Sequence, residues 1–204
     1  AAPTSAAGAA GETATADPSP SPEAAATEAA EAAANLPDIP RTDATTPQAA
    51  AETDLGSPPA TIRIGDLALD MPVVPVGVAA DGQTEVPPDA LVAGWYRFGP
   101  GVGATEGSVV VVAHAGSRIT PRGPFYDLRD VELGAIVELT AADGTEARYA
   151  VVDREVLTKT TIDWSVYFER TGAPRLVLVT CGGTWDQETQ SYRENVVVTA
   201  VPAA

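Results

Sequence analysis

The two residue types that carry much of enzyme and metal chemistry are almost missing from this 204-residue chain, which has one cysteine, Cys181, and one histidine, His114. A lone cysteine excludes an internal disulfide, so any chemistry it has is that of a free thiol. One His and one Cys fall short of a closed zinc ligand set, and no Asp-rich calcium loop occurs, so no metal site is expected. Positive charge is scarce as well. Twelve Lys and Arg stand against 28 Asp and Glu, a formal net charge of −16, and no basic stripe is present, which argues against a nucleic-acid partner. The chain also lacks a hydrophobic run of about 18 residues, a signal-peptide core and any repeat of roughly 20–50 residues.

What is present divides in two. Residues 1–57 are mostly Ala, Pro, Thr, Ser and Glu, with no aromatic residue. Such a stretch buries too little apolar surface to offset an ordering entropy of roughly 1–2 kcal/mol per residue, and it reads as a disordered, acidic, Pro-extended linker. Glu23 to Ala34 has helix propensity but no apolar stripe to dock, so any helix there is expected to be marginal. The sequence starts without Met inside this spacer. A targeting or anchoring segment outside it is therefore expected, with membrane attachment through that segment.

Residues 58–204 form the globular part. Short apolar, β-branched runs broken by Gly, Pro and Asp predict strands at Thr61–Ile64, Met71–Val78, Ser108–His114, Gly134–Thr140, Arg148–Leu157, Arg175–Cys181 and Arg193–Val201. Pro72 and Pro75 mark edges or bulges, and Asp143-Gly144 is a hairpin turn signal. Val86 to Phe98, with its Leu91, Trp95, Tyr96 and Phe98, is predicted to hold a helical turn. A short helix is predicted around Phe125–Leu128, and Gly182–Tyr192 is predicted to be a loop. Seven or eight short strands with no long amphipathic helix indicate an all-β barrel or sandwich.

Cys181 and His114 each end an apolar strand-like run, where a scaffold can present reactive groups. Cys181 could serve as nucleophile, His114 as general acid and base, and Arg193 as a fixed cation for a developing oxyanion. Cys181 ends one predicted strand and Arg193 begins the next, so antiparallel pairing would bring both to one rim. Nothing in the spacing brings His114 there. Taken singly, each residue also fits a plainer role: Cys181 as inert packing, His114 as a satisfied rim side chain, and Arg193 as a surface cation paired with Asp186 or Glu194, worth roughly 0–1 kcal/mol.

The motifs around the three carry more information than the residues alone. Val179-Thr180-Cys181-Gly182-Gly183-Thr184-Trp185-Asp186 and Ser191-Tyr192-Arg193-Glu194-Asn195-Val196-Val197-Val198 resemble the sortase family, the cysteine transpeptidases of Gram-positive cell surfaces. The Thr-Cys-Gly-Gly start and the Ser-Tyr-Arg-acid-Asn end look most like class F sortases of actinobacteria. Gly94-Trp95-Tyr96, the Val110–His114 run and Gly123-Pro124-Phe125-Tyr126-Asp127-Leu128 resemble the family's segments around its histidine. The resemblance spans roughly residues 61–202.

The resemblance implies a closed eight-stranded sortase-type β-barrel with short helices. It also implies cleavage of an LPXTG-like sorting signal between Thr and Gly through a thioacyl enzyme, and transfer to an amine of the cell wall or a pilin. Cys181 would be the nucleophile, His114 the acid and base, and Arg193 the oxyanion-stabilising cation, with Thr180 and Gly182 as supporting or substrate-binding residues. No cofactor is implied, and a monomer outside the cytoplasm, at the cell surface, is expected. Two departures stand out: Ala113 replaces an expected Gly before the histidine, and His-Ala-Gly-Ser replaces the more usual His-Val-Asp-Ser. The competing readings are a catalytically silent binding barrel, and a class E-like or mainly hydrolytic sortase; the Gly-Gly after Cys181 argues against class E. An L,D-transpeptidase is disfavoured because its Ser-x-Gly-Cys-Arg type motif is missing.

Overall fold

Eight strands close into one barrel in the computed structural model, which describes residues 55–188 and 191–203. They are β1 (Pro59–Ile64), β2 (Leu69–Val76), β3 (Ala93–Tyr96), β4 (Ser108–Val112), β5 (Ile136–Ala141), β6 (Glu146–Thr158), β7 (Arg175–Asp186) and β8 (Ser191–Pro202). Around the barrel the order is β1-β2-β3-β4-β7-β8-β6-β5. Two neighbour pairs, β2–β3 and β4–β7, are parallel, and the others are antiparallel. The expected linker lies outside the described residues up to residue 54. Leu55 to Ser57, which the sequence assigns to that linker, bond to the barrel: Gly101 N–H donates to the Leu55 carbonyl at 2.7 Å, and Ser57 and Val102 exchange backbone hydrogen bonds at 2.9 and 2.7 Å.

Strand alternation divides the core. Val109, Val111, Leu176, Leu178, Val196 and Val198 point into the barrel with Ile62, Ile64, Leu139 and Phe125. Val110, Val112, Val177, Val179 and Val197 point outward into a second apolar layer, roofed by Tyr96, Leu157, Trp164, Tyr167 and Phe168. Because β4 and β7 are covered on both faces, their sequences run as unbroken apolar stretches instead of alternating.

The roof is anchored from β7. Arg175 Nε donates to Ser108 Oγ at 2.8 Å and its Nη2 donates to Glu169 at 2.9 Å and to the Val166 carbonyl. This fixes the β6–β7 connection, including the short 3-10 turn Trp164–Val166, over the outer layer.

Two local expectations are corrected. Ala93–Tyr96 is strand β3 rather than a helical turn, because parallel pairing with β2 (Val73 to Ala93 through Val76 to Tyr96) decides its backbone. The expected loop after Cys181 is instead an extension of the β7–β8 ladder to Asp186 and Ser191, so Cys181 stands inside its strand. The short helix expected near Phe125 is present as a 3-10 helix, Pro124–Asp130.

Candidate active site

The parallel β4–β7 ladder sets the site. Its register holds a constant offset, from Ser108 opposite Arg175 to Val112 opposite Val179. Beyond the last pair the chains stay together. Ala113 N–H donates to the Val179 carbonyl at 3.1 Å. The buried Thr180 hydroxyl donates to the Ala113 carbonyl at 2.8 Å, across 67 positions of sequence. One residue further along each chain come His114 and Cys181, and both line one outer-face cavity of about 490 Å³.

Antiparallel pairing on the other side of β7 adds polar residues. Cys181 pairs with Asn195 on β8, and Asn195 pairs with Leu157 on β6, so these side chains share the outer face. Asn195, Lys159 and Ser191 also line the cavity. Lys159 follows the end of β6 with its N–H donating to the Arg193 carbonyl at 3.1 Å, and its Nζ donates to Ser191 Oγ at 2.9 Å. Trp164 and Phe168 from the roof and Val112 and Val179 from the floor make the apolar wall. The opposite wall is the Gly82–Val86 part of the β2–β3 connection, pinned by Glu85, whose carboxylate accepts from Gly77 N–H at 2.8 Å.

His114 is half-buried, and its pKa lies below the usual 6.5, first because burial penalises the imidazolium and second because the Lys159 ammonium repels it. The resting imidazole is therefore biased towards the neutral form, which can accept a proton.

The Gly-Gly after Cys181 has a local reason. Between Gly182–Glu194 and Trp185–Tyr192 the ladder gains one extra residue on β7, a β-bulge. Gly183 sits there at φ +72°, and a Cβ on it would lie 1.0 Å from Glu194 Oε2. That carboxylate accepts from Thr184 N–H at 2.9 Å and so closes the bulge. At Gly182 a Cβ would meet Val196 Cγ2 at 2.6 Å. A larger residue at Gly182 would have to displace the core side chain of Val196, and one at Gly183 would have to displace the Glu194 side chain and hold a left-handed backbone.

Of the residues singled out in the sequence, Cys181, His114 and Thr180 are brought together, and Gly182 adjoins them. Arg193 is on the same strand face as Asn195, but its guanidinium is turned to Asp186, with Nε and Nη2 each 3.1 Å from Asp186 Oδ2, and the side chain is 65% exposed. It does not line the cavity. The cation that does is Lys159, which sequence reasoning passed over. A signal was available, since Lys159 is the only lysine in the chain.

A barrel of this topology, with His114 just past the end of β4 and Cys181 within the adjoining parallel strand β7, has the ingredients of a thiol acyl-transfer enzyme. The family comparison agrees: the model of the sortase domain matches residues 62–203, and the chain belongs to the sortase family. Sortases are cysteine transpeptidases that act at the cell surface. Among solved structures, sortase C2 of group B Streptococcus pilus island 1 is similar at 19% identity and a TM-score of 0.52, covering 71% of this chain and 73% of its own. Sortase C of Clostridium perfringens SM101 is similar at 15% identity and 0.53, covering 73% and 71%. The sortase D5 transpeptidase of Clostridium perfringens gives 14% and 0.53, covering 72% and 79%. A search of curated proteins finds no match. Among the described residues no helix is long and apolar enough to cross a membrane.

Proposed function

We propose that this domain is an active sortase, a cysteine transpeptidase that cleaves an LPXTG-like sorting signal between Thr and Gly and joins the acyl part to a surface amine. The observation that carries the reading is the meeting of the chain's lone cysteine and lone histidine in one cavity with apolar walls. Cys181 Sγ attacks the Thr carbonyl carbon while His114, resting neutral, takes the thiol proton. The tetrahedral intermediate collapses, the C–N bond breaks, and imidazolium His114 protonates the departing Gly amine. A thioester on Cys181 remains. An amine of the cell wall or a pilin then attacks it, His114 accepts the amine proton, and the thiol is restored with a new amide formed. Water competes at this step and yields hydrolysis.

Arg193 takes the part of oxyanion-stabilising cation in this scheme, which requires its guanidinium to leave Asp186 and turn along the β8 face towards Cys181. Thr180 contributes by holding the Ala113 carbonyl and hence the position of His114, and Gly182 by letting the chain pass Val196 at the nucleophile. The motifs at Thr180–Gly183 and Ser191–Val198 favour class F within the family. The substrate partner would be the sorting signal of a surface protein, the acceptor a surface amine, and attachment to the membrane would come through a segment N-terminal to this sequence; a monomer suffices for the chemistry.

The test is incubation of the domain with LPXTG-type peptides and hydroxylamine, read by mass spectrometry. Thr hydroxamate and a Gly-initiated fragment are expected from the parent, and neither from Cys181→Ala. Equal cleavage by Cys181→Ala would overturn the mechanism, and a parent inert to every sorting peptide would favour a silent binding barrel.

A further inference from the structure

The chain has a single lysine, as it has a single cysteine and a single histidine, and all three line the same cavity. Lys159 reaches it by register: Leu157 pairs with Asn195 and Thr158 with Glu194, so Lys159 stands opposite Arg193 on the face that carries Cys181. Among the described residues that line the cavity no Asp or Glu occurs and Lys159 is the one Lys or Arg, although the whole chain carries −16. Its ammonium is held by a neutral acceptor, Ser191 Oγ at 2.9 Å, so the hydrogen bond fixes the charge without cancelling it. Arg193 differs on this point, because Asp186 sits against its guanidinium at 3.1 Å.

We propose that Lys159 is the resident cation of the reacting centre, an electrostatic positioning residue that favours negative charge on the acyl oxygen as Cys181 attacks. Arg193 then acts only after exchange of its Asp186 contact, whereas Lys159 acts in the resting cavity. This inference rests on the transpeptidase reading above and adds a second cation to it. The effect of Lys159 on His114 is consistent with the same placement, since a charge that disfavours imidazolium lies within electrostatic reach of the ring. A preorganised cation in a walled cavity acts with less screening than one in water.

Because Cys181 is the only thiol, its alkylation reads the cavity without any peptide. Iodoacetate and iodoacetamide both react with the same thiolate, so the ratio of their rates cancels the thiolate fraction and reports the local charge felt by an anion. Lys159→Met is expected to lower the iodoacetate-to-iodoacetamide ratio about three- to tenfold, as loss of one nearby charge in a partly screened site implies. Lys159→Arg should retain it, and Arg148→Met, on the far end of β6, should leave it unchanged. With sorting peptide, Lys159→Met should lower kcat about tenfold or more with Lys159→Arg restoring most of it. An unchanged ratio in Lys159→Met overturns the inference, as does a lowered ratio with unaltered kcat. A parent that cleaves no sorting peptide would instead sink the transpeptidase reading, and the alkylation ratio would still decide whether Lys159 places its charge at Cys181.

Discussion

The Thr180 hydroxyl donates to the Ala113 carbonyl at 2.8 Å, tying together the residues that immediately precede Cys181 and His114. Thr180 is buried, so its Oγ is committed inside the barrel wall while its neighbour on the chain faces the cavity. Thr180→Val keeps the shape and leaves that carbonyl without this donor, which should cost roughly 1–3 kcal/mol in chemical denaturation. Thr180→Ser should recover most of it. Peptide cleavage should fall in the valine variant at temperatures where the fold is intact, because the spacing between His114 and Cys181 loses its tie.

His114 is the only histidine, so its imidazole proton signals in an NMR pH titration need no assignment by mutation. The midpoint should fall below 6.5, with burial as the larger cause and Lys159 as the smaller, and it should move upward in Lys159→Met. The unfolded chain takes up this proton near pH 6.5 and the folded chain only at lower pH. Stability should therefore be independent of His114 above about pH 7 and decline as pH drops through the window between 6.5 and the folded value. Subtracting the profile of His114→Gln from that of the parent isolates this contribution, and a difference that grows in the opposite direction would show that the folded site prefers imidazolium.

At the bulge, Gly183→Ala should destabilise the domain by about 1–3 kcal/mol and slow cleavage, since a Cβ there runs into Glu194 Oε2 at φ +72°. Glu194→Ala removes the clash but also the acceptor for Thr184 N–H. The double variant should therefore be less impaired than the sum of the singles, a coupling that a double-mutant cycle measures directly.

Arg193→Ala should reduce peptide cleavage by about 10²-fold or more if its guanidinium serves the oxyanion. Asp186→Asn should then raise the rate, because it weakens the 3.1 Å ion pair that turns Arg193 away from the cavity. Comparing the two by steady-state kinetics separates a catalytic cation from a surface pair. Loss of stability without loss of turnover in Arg193→Ala would assign it the second role.

Some of this was legible in the chain and some was not. The Val runs of β4 and β7 announce strands buried on both faces, and Asp143-Gly144 lies at the β5–β6 hairpin as its dipeptide suggests. The family resemblance pointed to Cys181 and His114 as a pair, and both line one cavity, but no local pattern could bring them together, because their meeting depends on parallel pairing between strands far apart in sequence. Local cues misled at Ala93–Tyr96, where aromatic spacing suggested a turn of helix and pairing with β2 prevailed. They misled again at Gly182-Gly183, where glycines that usually break a strand here accommodate an extra residue within one. Lys159 escaped notice because a lysine after a strand ordinarily faces solvent; only the β6–β8 register turns it to the cavity.

Since His114 and Cys181 meet through strand pairing and not through the segment that joins them, that segment is open to change in length. Extra residues at the β5–β6 turn, where Gly144 has nothing within 4 Å of a would-be Cβ, would lengthen the sequence between the two and leave their encounter unaltered. One residue removed from β4 would do the reverse, rotating His114 to the other side of the wall. The barrel thus offers an engineering handle: a reporter peptide spliced beside Gly144 should leave hydroxamate formation within about twofold of the parent, as expected for an insertion at an exposed tip, whereas a single deletion in Val109–Val112 should end it.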